Sequence, residues 1–563
     1  MKFYQLSGYS RLQRPMIKDG KDLATDSRGT TRGMTLKRVI LGILTAIAIA
    51  LVGLSLVASW NQPQIQSRLE LYQTNLLLHA SEWQGENNQS ANLSSARNNI
   101  VGADPLNTAL TQYQEARQST RKTLETTQAQ FKAIQAAIAS KPEGNTLNLA
   151  QDKALSESIE QQSALLNELD LRLGILQASS GKTQAAIQTW KNLVERYNTQ
   201  IDYDPSAVTA KVLTGIWSSP AQLLPDAEPS IQKSLDGWFR YRALAQLYKL
   251  QERSKDLVAL QAAEQATAQQ AVEKLAIIVG VPAIALCIGT VLLVGLTVQW
   301  LLQRQQLDKA GSGPVLARNA SLTWDVPWDG EIVWQVLVVG FFFVGQILIP
   351  YLLLPVSLAV LKLNPATFDP RGKAFYIFAT YLLLSAGGLS VLYFSVKSFL
   401  PLPEGWFRIN WRGSWFLWGF GGYFVALPLV VLVSLINQQF WQGQGGSNPI
   451  LPIVLEGRDN VALAVFFGTA AIAAPVFEEI VFRGFLLPSL TRYLPVWGAI
   501  AASAFLFAVA HLSVSEILPL ATLGSVLGFV YTRSRNLLAP MLLHSLWNSG
   551  TLLSLFLLGG GAS

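Results

Sequence analysis

The chain is short of charge and almost without cysteine. Of its 563 residues only 14% are Asp, Glu, Lys or Arg, where a soluble chain of this size carries about 25%. That deficit excludes a single, uniformly water-exposed globule. Cys287 is the sole cysteine, so an intrachain disulfide is excluded and cysteine usage says nothing about redox compartment. Histidine is nearly as scarce, with copies at 79, 511 and 544. No Gly-x-Ser-x-Gly elbow surrounds a serine, and no His-Glu-x-x-His pair occurs. The usual signatures of a serine hydrolase and of a zincin are therefore missing.

Half of the residues are hydrophobic, and they are unevenly spread. Residues 1–38 form a basic tail with nine Lys or Arg against three Asp. Such a tail can bind nucleic acid, but this one runs directly into the uncharged stretch 39–60, which is long enough to cross about 30 Å of hydrocarbon. Retention of the tail in the cytoplasm by the positive-inside rule is the better reading, and no nucleic-acid partner is expected. The apolar stretch is too long for a signal-peptide core and lacks a convincing cleavage site, so it reads as a signal anchor.

Residues 61–272 are rich in Glu, Gln, Ala, Leu and Lys, a composition that favours helices. They are expected outside the cytoplasm as a helical domain. Within 165–197 the order Leu173, Gly174, Gly181, Ala185, Ala186, Ile187, Trp190 resembles part of a tetratricopeptide repeat, with a weaker echo at 241–260. A plain antiparallel bundle fits equally well. The domain is a candidate binder of a protein partner, and His79 within it is expected to be a surface or packing residue. Beyond it, 275–302, 332–361, 375–399, 415–436, 461–490, 495–512, 517–531 and 537–558 each read as a span. With the anchor this gives about nine helices in an all-α, polytopic membrane protein, because a lone strand in lipid leaves its backbone unsatisfied.

The last four spans hold groups that lipid disfavours. Each ionisable side chain there costs about 2.5–3.5 kcal/mol on insertion scales. They are Glu478, Glu479 and Arg483, then His511 four residues after Phe507, then His544 four residues before Asn548. Glu479 and Arg483 are one helical turn apart and can pair. Glu478 is turned about 100° away from Glu479 and lacks that partner. His544 and Asn548 share a face, as do Phe507 and His511. Counting about 1.5 Å per residue from the turn at 491–494 puts Glu478 and His511 at similar depth, and leaves His544 nearer its own turn. A single ion pair or histidine here could be structural glue, but the whole set on consecutive spans reads as one site. A carboxylate with an imidazole can deprotonate water. An imidazole and an amide, such as His544 and Asn548, suit an oxyanion hole. One Glu and two His (Glu478, His511, His544) also match a zinc site in ligand type.

Residues 461–550 resemble the core of the CAAX-protease and bacteriocin-processing (CPBP, or Abi) family of intramembrane proteases. The family pattern is Glu-Glu-x-x-x-Arg, Phe-x-x-x-His and His-x-x-x-Asn or Asp; here it falls on Glu478, Glu479 and Arg483, on Phe507 and His511, and on His544 and Asn548. The resemblance extends loosely back to 332, giving a polytopic domain over 332–558. It implies that Glu478 and His511 activate water, that His544 and Asn548 bind the oxyanion, and that Arg483 holds Glu479. It implies an endopeptidase acting on a membrane-associated protein or peptide. Both a metal-free glutamate mechanism and a metalloprotease label attach to the family; the asparagine, a better donor than ligand, favours the metal-free form. A bacterial plasma membrane or thylakoid is expected. The alternative is a non-proteolytic scaffold or chaperone, a role ascribed to some plastid members. A proton-relay transporter is disfavoured because 332–440 holds no second polar half.

Overall fold

The computed structural model describes residues 35–60, 65–84, 101–102, 104–140, 146–197, 204–303, 322–441, 444–446 and 459–559. Most of the basic tail lies outside these residues, as do Arg304 and Lys309. The described residues form sixteen helices. Eight of them are long and apolar enough to cross a membrane, and the chain is a polytopic helical membrane protein.

After the apolar α1 (Leu36–Trp60), seven polar helices pack into a unit with its own core. They are α2 (Ile65–Ser81), α3 (Pro105–Ser140), α4 (Thr146–Ser179), α5 (Thr183–Tyr197), α6 (Pro205–Trp217), α7 (Ala227–Ser234) and α8 (Gly237–Leu250). Their core gathers Leu78, Tyr113, Ile175, Trp190, Leu213, Ile231 and Phe239. The α4–α5 hairpin shows why two glycines are there. Gly181 turns the chain at φ +78°, and a Cβ on Gly174 would lie 2.2 Å from the Trp190 ring, which crosses the helix at that point. His79 is buried rather than exposed, with its Nδ1 2.7 Å from Glu264 Oε1.

The change from polar to apolar sequence near residue 272 leaves no break in the backbone. α9 runs unbroken from Ser254 to Gln303, about 75 Å at 1.5 Å per residue. The polar half packs on α2 and the apolar half in the bundle. Helix hydrogen bonds close within the chain, so they survive the passage from water to lipid.

The bundle then comprises α10 (Gly330–Leu361), α11 (Pro370–Phe399), α12 (Trp415–Trp441), α13 (Asn460–Leu490), α14 (Val496–Val509), α15 (Ile517–Ser534) and α16 (Leu538–Gly559). Of the nine spans expected, α14 is the one that falls short: it has 14 residues, about 21 Å. Small residues let helices approach where lipid gives no hydrophobic drive. Gly419 and Gly422 of α12 admit Leu542 and Leu543 of α16. A Cβ on Gly289 of α9 would lie 1.8 Å from the Phe424 carbonyl oxygen of α12. Gly289→Leu should therefore prise α9 from α12 and cost about 1–3 kcal/mol, read as a lower melting temperature in detergent. Gly280→Leu, which meets nothing within 4 Å, is the control.

Loop contacts sort the helix ends into two groups. At one end, Lys37 and Arg38 pair with Glu331, Arg492 donates to the carbonyls of Val326 and Trp328, and the Leu537 N–H donates to Arg408. At the other, Arg371 pairs with Asp459, Val514 N–H donates to Ser59, and Ser513 and Ser515 donate to the carbonyls of Gly445 and Gly446. Alternating spans require this segregation, and Lys362, Arg371 and Lys373 belong to the second group.

Candidate active site

The site is assembled where α13 is least regular. Two π-helical stretches, Thr469–Ala473 and Ile480–Leu486, flank the short α-helical segment Ala474–Glu479. Such wide turns are rare and concentrate at functional sites. Glu478 and Glu479 close the α-helical segment between them and, about 100° apart, meet different neighbours.

Glu479 is sealed, with no exposed surface, as is Arg483. Arg483 Nη1 donates to Glu479 Oε1 at 2.7 Å, and Nη2 donates to the Gly524 carbonyl of α15 at 3.2 Å. The guanidinium also lies over the Phe507 ring, 4.4 Å from its centroid. His544 of α16 places Nδ1 2.9 Å from the same Glu479 oxygen. With the carboxylate as acceptor, Nδ1 carries the hydrogen and Nε2 is left facing outward. There it stands 3.9 Å from Glu478 Oε2.

Glu478 is the more open carboxylate, with 18% of its side chain exposed. Tyr381 of α11 donates its hydroxyl to Oε1 at 3.3 Å. Oε2 is buried and has no hydrogen-bond partner. Two carboxylates and one guanidinium leave the cluster one charge short of neutrality, and an unbalanced charge in a low-dielectric interior is expensive.

The remaining residues stand around this core. Phe507, fully buried, touches both histidine rings, with centroids 4.8 Å from His511 and 5.7 Å from His544. His511 lies just past the end of α14, where Leu512 takes φ +57°. Its Nδ1 is 2.8 Å from the Phe507 carbonyl oxygen, and a carbonyl only accepts, so Nε2 is the nitrogen left for chemistry. Among the described residues no hydrogen bond or ion pair joins His511 to Glu478. The ion-pair contact of Glu478 in this structure is with His544. Asn548 donates to the Ala470 carbonyl of the first π stretch at 2.7 Å, which commits one of its two N–H groups. Tyr381 escaped the sequence reading; it lies 97 residues from Glu478 in the chain, with no local signal to mark it.

Among the described residues no three His, Cys, Asp or Glu side chains are grouped closely enough to hold a metal. Each histidine has its Nδ1 engaged, His544 by Glu479 and His511 by a backbone carbonyl.

Comparison with known proteins bears on the same segment. Residues 460–550 match the family model described as "Type II CAAX prenyl endopeptidase Rce1-like". A Bacillus subtilis protein named "Putative membrane peptidase YdiL" is 24% identical over 133 residues, which are 24% of this chain and 53% of that protein. The chain thus spans about half the length of this curated relative. No solved structure matches.

Proposed function

We propose, from the premise that residues 460–550 are an Rce1-like, CPBP-type region, that the chain is an intramembrane endopeptidase hydrolysing a peptide bond of a membrane-associated protein or peptide. The observation that carries this reading is the buried, partnerless Oε2 of Glu478 standing 3.9 Å from His544 Nε2. That gap suits one water molecule held by both groups. Glu478 takes a proton from the water as its oxygen attacks the scissile carbonyl, and later returns that proton to the leaving amine. His544, oriented by Glu479 behind it, fixes the water. The second N–H of Asn548 is the nearest amide donor on the same helix face for the oxyanion. His511, beside Phe507 with its Nδ1 engaged, offers Nε2 as a further imidazole nitrogen near the site.

Tyr381 supports the base rather than reacting. Removing its hydrogen bond to a charged acceptor costs about 1.5–3 kcal/mol, so Tyr381→Phe should slow cleavage by roughly 10–100-fold. The scheme uses no metal. Cleavage by the reconstituted protein should survive dialysis against EDTA and 1,10-phenanthroline with less than about twofold loss; abolition, reversed by zinc, would overturn the metal-free scheme. The test of the function itself is cleavage of a membrane-embedded peptide library by purified protein in nanodiscs. Absence of any cut product favours the scaffold or chaperone role instead. By the positive-inside rule, the end that carries Arg408, Arg412, Arg492, Arg533 and Arg535 faces the cytoplasm, with the N-terminus. The unit built from α2 to α8 is then on the opposite side.

A further inference from the structure

The α2–α8 unit carries a groove that the protease reading does not use. Two adjoining cavities, of about 400 and 900 Å³, share Arg117, Arg121 and Glu125 of α3 and Asn192 of α5. Along α3 the lining extends from Gln114 to Gln128, about 21 Å. An extended chain rises about 3.3 Å per residue, so the groove accommodates roughly six residues.

Its charge is unequal. Arg117, Arg121, Lys122 and Arg196 line it, against Glu125 on the wall and Asp170 beneath. Asp170 has no exposed surface and holds both Arg117 and Arg196. That buried carboxylate ties α3 and α5 to α4 and pre-positions two guanidinium groups in the groove, each about a third exposed. A purely structural role for Asp170 accounts for those two arginines but not for Arg121 and Lys122. Arg121 is 63% exposed, and its pairing with Glu125 a turn away occupies only one edge of the guanidinium.

Amides are the commonest side chains in the rest of the wall, beside a few aliphatic and hydroxyl ones. Gln188 donates to Asn192 Oδ1 at 2.8 Å, which leaves the Asn192 N–H groups for another acceptor. Side-chain amides offer both donors and acceptors and so match a peptide backbone. Tyr197 is the one aromatic ring among the lining residues, too few for a stacked single-stranded nucleic acid.

We infer that this groove binds an acidic, extended peptide segment of about six residues. Binding is tested on the full-length protein in nanodiscs, both wild type and Glu478→Gln so that no probe is cut. The site is independent of the protease reading, and the two can fail separately. Three fluorescein-labelled hexapeptide pools, fixed at three positions as Glu, Gln or Lys and randomised elsewhere, are compared by anisotropy. The glutamate pool should bind at least tenfold more tightly than the glutamine pool, and the lysine pool least. The double substitution Arg121→Glu and Lys122→Glu, on exposed positions outside the Asp170 cluster, should raise the Kd of the glutamate pool at least tenfold without lowering the melting temperature. Equal binding of the three pools, no binding of the glutamate pool, or an unchanged Kd in the double variant overturns the inference. So does a short single-stranded DNA that binds where the glutamate pool does not.

Discussion

Glu478→Gln is expected to reduce kcat by about 10²–10⁴-fold while the protein keeps its melting temperature within a few degrees. Glutamine preserves the shape of the side chain, and its amide oxygen can still accept from Tyr381. What it loses is the ability to take a proton at the Oε2 position, where no partner now competes for it. Stability should barely change, because Glu478 is partly exposed and its replacement removes one of two neighbouring negative charges. The measurement is a single-turnover cleavage assay paired with thermal unfolding in the same detergent. Cleavage at the wild-type rate would remove Glu478 from the role of base.

Arg483→Met should act in the opposite sense, chiefly on folding. It leaves the Glu479 carboxyl group in a sealed site with His544 as its only direct partner among the described residues. Breaking one half of a buried pair costs about 3–5 kcal/mol. The loss also removes the donor to the Gly524 carbonyl and the cation above Phe507. Pairing the change with Glu479→Gln removes the stranded charge, and most of the stability should return, since uncharged replacements of a buried pair are often neutral or stabilising. Activity should not return, because His544 no longer has a carboxylate to hold its ring. A melting temperature for Arg483→Met equal to wild type would show that the pair carries no structural weight. Recovery of activity in the double variant would show that Glu479 does not orient His544.

The spans were legible because long apolar runs leave few alternatives to a helix in lipid, and the Glu479–Arg483 pair followed from their spacing alone. The placement of His544 was not. Counting residues from a turn assumes that the turn sits at the membrane surface. The turn before α16 is tied to the loop before α12: Asn536 donates to the Asn410 carbonyl, and Leu537 N–H to that of Arg408. From there His544 reaches Glu479 at 2.9 Å, a contact that counting residues from a turn does not give. His511 was read as helical, yet α14 ends at Val509, and the left-handed Leu512 turns the chain away. A fixed 100° per residue also fails across the two π stretches, whose wider turns a sequence pattern does not announce. The apolar boundary near 272 marks a change of composition, and an unbroken helix crosses it.

With α9 rooted against α12 at Gly289 and its first half joined to α2 through the buried Glu264–His79 contact, one continuous helix with Pro282 inside it links the α2–α8 unit to the bundle. α2 in turn rests on Leu552, Leu555 and Leu558, on the same helix as His544. The unit that carries the groove and the helix that carries His544 are thus joined by two packed routes, through α9 and through α2.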